Sequence, residues 1–216
     1  VRPAPYAISL PATKDDQLFV ATHARDAGAI LWDYAFTTPL APFALSPRAL
    51  TAAIMHDLFS RRKAQFDAVG ATDSVVSLAL EDELQLLGLA ECLLAVQKDE
   101  AATVASGLPG HSVLVTPMAV ETAPGPAAGV EDTVLFVGSN TAPNVVGLRW
   151  LFQEVWPLVR QSRPDARLLV AGSVNRAIDW APEGVGLLGA VRGLGPLYES
   201  AAVVVSPLLT GSGLEI

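Results

Sequence analysis

The sequence predicts an α/β fold of two doubly wound domains, and three observations carry that prediction. Apolar residues make up 51% of the 216, while charged residues reach only 17%. Short apolar runs recur between Gly and Pro punctuation, which suits parallel strands buried on both faces better than a solvated antiparallel sheet. Strand-like and helix-like stretches alternate, stop at one Pro-, Gly- and Ala-rich segment, and then start again. The length suits one large or two modest domains.

Residues 13–27 read as a helix with Leu18, Phe19 and Thr22 on one side and Gly28 closing it. The run AILWDY, 29–34, is a strand that leads into the Pro-bearing loop TTPLAPF. LTAAIMHDL, 50–58, is a second strand with His56 and Asp57 at its polar end, after which Ser60 caps a helix through Ala68. EDELQLLGLA (81–90) is helical, CLLAV (92–96) a strand, KDEAATVAS (98–106) a helix and SVLVTPM (112–118) a strand. ETAPGPAAGVED, 121–132, has no periodicity and reads as a linker. Beyond it come strands at 133–137, 167–171, 185–188 and 202–206, with helices from about residue 143 and over 195–201. The expected organisation is therefore a first domain over 1–120, the linker, and a second domain over 133–216, each incomplete.

The net charge of −8 comes from 14 acids against 8 bases up to Glu121, and 8 against 6 after it. Neither half offers a basic nucleic-acid surface. Cys92, the single cysteine, lies inside AECLLAV, so no disulfide framework is available and the residue reads as a small buried hydrophobe. The longest uncharged windows are broken by Gly and Pro and do not read as membrane spans. A chain that opens on Val1 and stops in mid-pattern at Ile216 is expected to be a piece of a longer protein.

The strongest candidate site lies in VLFVGSNTAPNVVGLRWLF, 134–152. A strand that ends in Gly138-Ser139-Asn140-Thr141 and turns into a helix aims backbone N–H groups at one spot. Asn140 or Thr141 caps that helix and Pro143 fits its first turn. Such a turn favours an anion such as a phosphate at the carboxyl edge of the sheet, and Gly138 admits it close to the backbone. GVGLLG, 184–189, matches a dinucleotide fingerprint only by spelling, because Val185 to Leu188 read as the strand itself and no helix opens at its third glycine. His56 sits at a strand's carboxyl end, where open α/β sheets place ligands. Glu81-Asp82-Glu83 read as a solvated first turn and Arg61-Arg62-Lys63 as a solvated helix face. No metal site is expected, since His56 and Asp57 are adjacent and no third ligand is near. No serine sits in a nucleophile elbow. The buried strand before Pro207 opens into a Gly211-Ser212-Gly213 loop, a second place for close backbone approach.

Taken in order, these stretches resemble the retaining glycosyltransferases of family 4, which have two facing Rossmann-like domains (the GT-B architecture). AILWDYAFTTPLAPFAL and IMHDLFSRR resemble the later strands of that family's first domain, and LLGLAECLLAVQKDEAATV with HSVLVTPMAVE its end. VLFVGSNTAPNVVGLRWLFQEVWPLV, ARLLVAGS and GVGLLGAVRGLGPLYESAAVVVSPLLTGSGLEI resemble the start of the second domain and the approach to its donor site. The resemblance implies transfer of a sugar, with retention of configuration, from a nucleoside diphosphate sugar, with no metal or other cofactor. It places Gly138, Ser139 and Asn140 at the donor diphosphate with Asn144 supporting the helix start, and Gly189 to Val191 at the base. It makes Gly211, Ser212, Gly213 and Leu214 the loop that approaches diphosphate and sugar. His56 becomes the catalytic candidate, in contact with the transferred sugar or the acceptor, and Tyr34 with the TTPLAP loop faces the acceptor side. The acceptor is a polysaccharide, a lipid-linked glycan or a protein, and the resemblance implies a cytoplasmic location with peripheral membrane contact left open. The family's basic residue and glutamate beyond the glycine loop would fall after Ile216, so this chain alone is expected to be inactive. A non-catalytic nucleotide-sugar binding module, or a sugar-nucleotide epimerase of the same architecture, are the alternatives.

Overall fold

In a computed structural model, which describes residues 9–119 and 129–211, the chain forms two compact units, one holding 9–68, 73–119 and Gly211 and the other 69–72 and 129–210. Each is built on its own four-stranded parallel sheet.

The first sheet contains β1 (Ala29–Asp33), β2 (Leu50–Met55), β3 (Cys92–Ala95) and β4 (Ser112–Val115), laid side by side in chain order. The register sets Trp32 beside Ala53 and Leu93, and these residues lie buried on one face. Met55, Leu58, Leu87, Ala95 and Val104 complete that core. The covering helices are α1 (Lys14–His23), α2 (Arg62–Ala68), α3 (Leu80–Leu87) and α4 (Lys98–Gly107). α1 is shorter than the sequence suggests and starts at a capping box, in which Asp16 and Thr13 satisfy each other's backbone N–H. Its apolar pair, Leu18 and Phe19, is exposed rather than packed. The TTPLAPF stretch is a short-pitch helix, Ala35–Phe43, and the Thr38 hydroxyl within it is fully buried and donates to Leu86 O at 2.6 Å. A run with prolines at 39 and 42 forms tight turns because it lacks two of the N–H groups an α-helix needs.

The second sheet contains β5 (Val130–Val137), β6 (Arg167–Ala171), β7 (Val185–Gly189) and β8 (Ala201–Val204), in the order β7-β6-β5-β8. β5 is central: the chain winds outward through β6 and β7, then returns to place β8 on the other side. Phe136, Leu148, Phe152, Trp156, Leu168 and Val170 form the core between this sheet and α5 (Ala142–Trp150) and α6 (Trp156–Ser162). A π turn, Leu151–Val155, separates these two helices just before Pro157. The widened turn accommodates a residue that supplies no N–H and crowds the preceding turn. α7 (Gly195–Ser200) precedes β8.

β5 begins at Val130, inside the stretch read as linker; residues 121–128 of that stretch lie outside the described residues. The sequence hides this start because Glu131 and Asp132 disfavour strands, and Asp132 takes a φ of 63° at a shift in the β5–β8 register.

Candidate functional site

Parallel strands gather their carboxyl ends along one edge, so each sheet offers an edge where loop residues converge. On the first sheet that edge carries Asp33 at the end of β1, Tyr34 directly after it, and His56 directly after β2. The pairing of Asp33 with Ile54 brings His56 Nε2 to 2.6 Å from Asp33 Oδ1. The Tyr34 ring lies 4.5 Å from the imidazole and 5.8 Å from the Phe59 ring, centroid to centroid. Tyr34 has φ 67° and ψ 158°, a region of backbone space occupied almost only by glycine. Its N–H donates to Ile54 O at 3.1 Å, which continues the sheet one residue past the kink. Backbone strain is thus held beside an imidazole–carboxylate pair. The structure brings His56 and Tyr34 together and adds Asp33, which the sequence shows only as the end of a strand.

Behind His56 the chain is clamped by buried charge. Glu83 and Glu100 have no exposed surface. Glu83 accepts from Phe59 N–H (2.9 Å) and Ser60 N–H (2.7 Å), and Glu100 accepts from Leu58 N–H (3.2 Å). Three consecutive backbone donors are therefore capped by carboxylates from two other helices. Burial pushes the Glu83 carboxyl up from its usual range, against the pull of these N–H groups. Arg62, 8% exposed, donates to both oxygens of Asp73 (2.6 and 2.7 Å) and to Asp57, with its guanidinium 5.5 Å from the Phe59 ring centroid. Burial alone would lower the Arg62 pKa, but the two carboxylates override it and hold it up. The reading of Glu81-Asp82-Glu83 and Arg61-Arg62-Lys63 as solvated surfaces is corrected at Glu83 and Arg62, because each finds partners distant in sequence. Ser60 is corrected too: its backbone N–H is capped by Glu83, and the helix begins at Arg62 after a short-pitch turn, Phe59–Arg61.

On the second sheet the chain order reverses at β5, the kind of switch point where open α/β sheets place a ligand crevice, here between the carboxyl ends of β5 and β8. Gly138-Ser139-Asn140-Thr141 lies at the mouth of that crevice and leads into α5. Pro143 sits in the first turn, as its missing N–H allows, and Thr141 is the residue before the helix. Neither Thr141 nor Asn140 caps α5 with its side chain; instead Asn144 reaches back, donating to Ser139 O and Thr141 Oγ1, both at 3.1 Å. The turn is less open to an anion than its sequence suggests. Gly138 N–H donates to Ala171 O (3.0 Å), Asn140 N–H to Ser173 Oγ (2.9 Å) and Thr141 N–H to Ser139 O (2.8 Å). The Ser139, Ala142 and Asn144 N–H groups make no such bond among the described residues. Gly138 is glycine for an internal reason as well: a Cβ there would lie 2.7 Å from the Phe136 ring. Gly147 lets α5 lie against the segment after β8, where a Cβ would meet Pro207 O at 2.2 Å.

Gly189 ends β7 with φ 70°, and Val191 beyond it is exposed. Gly211 has φ 112°; Ser212, Gly213 and Leu214 lie outside the described residues. GVGLLG is indeed strand, over Val185–Gly189. Sequence reasoning missed Ser173 and Asn175, although RLLVAGSVN shows a glycine directly after a strand. Among the described residues no group of three or more His, Cys, Asp or Glu is placed to hold a metal ion. No described helix is long and apolar enough to cross a membrane.

Residues 131–216 match the family model for glycosyl transferases, group 1. An uncharacterized 44.6 kDa protein in the cps region of Klebsiella pneumoniae is 26% identical over 139 residues, covering 57% of this chain and 34% of that protein. Among solved structures, TarM superposes with a TM-score of 0.62 at 13% identity, over 87% of this chain and 38% of its own. The pneumococcal O-GlcNAc transferase GtfA, solved with UDP and GlcNAc, gives 0.60 at 12% identity over 87% and 40%. A trehalose-6-phosphate synthase studied for glycosyl transfer with retention gives 0.59 at 15% identity over 93% and 59%. The chain thus spans from about a third to three fifths of the proteins it resembles. The two-sheet fold is like that of the GT-B glycosyltransferases, and within the second unit residues 131–216 are similar to the glycosyl transferases of group 1.

Proposed function

We propose that the chain is part of a retaining glycosyltransferase that moves a sugar from a nucleoside diphosphate donor to an acceptor. The observation that carries this is the junction of β5 and β8: a glycine turn, remaining backbone N–H groups at Ser139, Ala142 and Asn144, and the positive end of α5 at one crevice. In this reading the donor diphosphate is held there as it departs, and its growing charge is met by fixed amides and the helix dipole rather than by a metal. Gly211 and the loop after it approach the diphosphate and sugar, and Gly189 to Val191 the base. His56 contacts the transferred sugar or the acceptor, with Tyr34 on the acceptor side. Asp33 fixes the imidazole ring through Nε2 and leaves Nδ1 for a hydroxyl group. The cps-region setting of the Klebsiella relative favours a polysaccharide acceptor over a lipid or protein one.

The test is calorimetric titration of the natural full-length chain with UDP, GDP and ADP, followed by NMR of the product anomer formed from the matching sugar nucleotide. Selective binding of one diphosphate and a product with the donor's anomeric configuration support the reading. A folded full-length chain that binds none of the three sinks it, and an inverted product sinks retention alone.

A further inference from the structure

The loops after β5, β6 and β7 are joined into one strip by groups that the donor reading leaves without a role. Gly172, directly after β6, has φ 106°, and a Cβ there would lie 2.1 Å from Gly138 O. That close passage lets Val174 N–H donate to Gly138 O at 3.1 Å, while Gly172 N–H donates to Gly189 O at 2.7 Å. Two short side chains from the same loop complete the strip. Ser173 Oγ accepts from Asn140 N–H at 2.9 Å. Asn175, with its amide oriented as the neighbouring donors require, accepts from Gly189 N–H at 2.6 Å and from Leu188 N–H at 3.1 Å.

We propose that Ser173 and Asn175 are positioning residues of the nucleotide diphosphate site, holding the Gly138–Asn140 turn and the Gly189–Val191 stretch in the shape that receives the donor. The proposal rests on the donor reading above and deepens it. Neither side chain carries charge, so what they contribute is geometry: a turn already fixed loses no further conformational freedom when a ligand arrives. The same bonds shift the recognition of the base along the chain. The N–H and C=O of Gly189 are both committed to the loop after β6. Backbone N–H donors to a base therefore start at Ala190 and Val191, exposed just beyond it, and Asn175 fixes where that pair begins. A purely structural asparagine would lower thermal stability and leave the ranking of bases untouched; a positioning one changes the ranking.

The experiment uses the natural full-length chain and the variants Asn175→Leu, Asn175→Asp and Ser173→Ala, each checked by its unfolding midpoint. Affinities for UDP, GDP and ADP are measured by calorimetry, and donor KM and kcat by product formation. Asn175→Leu is expected to weaken the preferred diphosphate about tenfold, the worth of one or two backbone hydrogen bonds, and to narrow the preference among the three bases. Donor KM rises while kcat stays within about threefold, since the bonds act on ground state and transition state alike. Asn175→Asp keeps an acceptor for both N–H groups and restores affinity to within about threefold, and Ser173→Ala weakens all three nucleotides together because the turn it holds meets only the diphosphate. Unchanged affinity and base ranking in a folded Asn175→Leu overturn the proposal while leaving the donor site standing, as does failure of Asn175→Asp to rescue. Absence of binding in the natural chain overturns the donor reading and this inference with it.

Discussion

Tyr34 is an unusual residue for its backbone. A tyrosine at φ 67° and ψ 158° is held there by its N–H bond to Ile54 and by its ring against His56 and Phe59. Alanine ordinarily outperforms glycine, but here the order reverses. Tyr34→Gly is expected to be more stable than Tyr34→Ala by about 1 kcal/mol, since only glycine relieves the strain. Urea unfolding of the two variants checks it, and alanine proving the more stable would show that the kink is not strained. If the proposed function holds, His56→Ala slows transfer by about 10²-fold in the full-length chain while nucleoside diphosphate affinity changes little, measured by turnover beside calorimetry. Equal losses of turnover and nucleotide affinity would move His56 out of the sugar or acceptor role. At this scale the sequence speaks through position. His56 and Tyr34 stand out at strand ends, but Asp33 becomes meaningful only once β1 and β2 pair in register. Glu83 and Arg62 mislead, because a helix's own pattern carries no sign of the backbone amides at 59 and 60 or of Asp73.

Those same residues act together at the scale of elements. The segment from Leu58 to Arg62 is fastened to α3 and α4 by two buried carboxylates, and to the loop after α2 by Arg62 and Asp73. Arg62→Met removes the buried guanidinium from two partly buried carboxylates and is expected to cost about 3 kcal/mol in chemical denaturation, far more than a surface arginine. A loss below 1 kcal/mol would show that Asp57 and Asp73 are satisfied without it. Glu83 gives a pH signature whose sign follows from its raised pKa. The folded state favours the protonated acid more than the unfolded chain does. Its contribution to stability is therefore complete below the ordinary carboxylate range and lost as pH rises through the raised folded value. Unfolding free energies measured at a series of pH values should fall across that window in the natural protein. In Glu83→Gln, where Asp57, Asp73, Arg62 and Glu100 all remain, the fall should be shallower; an identical slope would exonerate Glu83.

At the scale of the molecule, the alternation of apolar runs with helical stretches was enough to read two parallel sheets, and the strand positions were readable to within a few residues. Strand order was not, because it is decided by which side of β5 each returning strand takes. The start of β5 also escaped, since a bulge at Asp132 hides strand in a charged, loop-like stretch. Separate cores in the two units imply separable responses to substitution. Gly147→Ala drives a Cβ to 2.2 Å from Pro207 O, whereas Gly28→Ala meets nothing within 4 Å. The first is expected to destabilise the second unit by about 1–3 kcal/mol and the second to be neutral or mildly stabilising, read by calorimetric unfolding. Equal effects would mean that α5 can shift away from the segment after β8. The strand order also separates short-range pairings from a long-range one. β5–β6 and β6–β7 join strands that are consecutive in the chain, whereas β5–β8 joins the first strand of the sheet to the last. The crevice itself does not exist until β8 comes back across the sheet to its place beside β5. On the proposed function, a nucleotide stabilises only forms in which β8 is paired with β5, and partly folded forms of this unit that lack the pairing gain nothing from its presence.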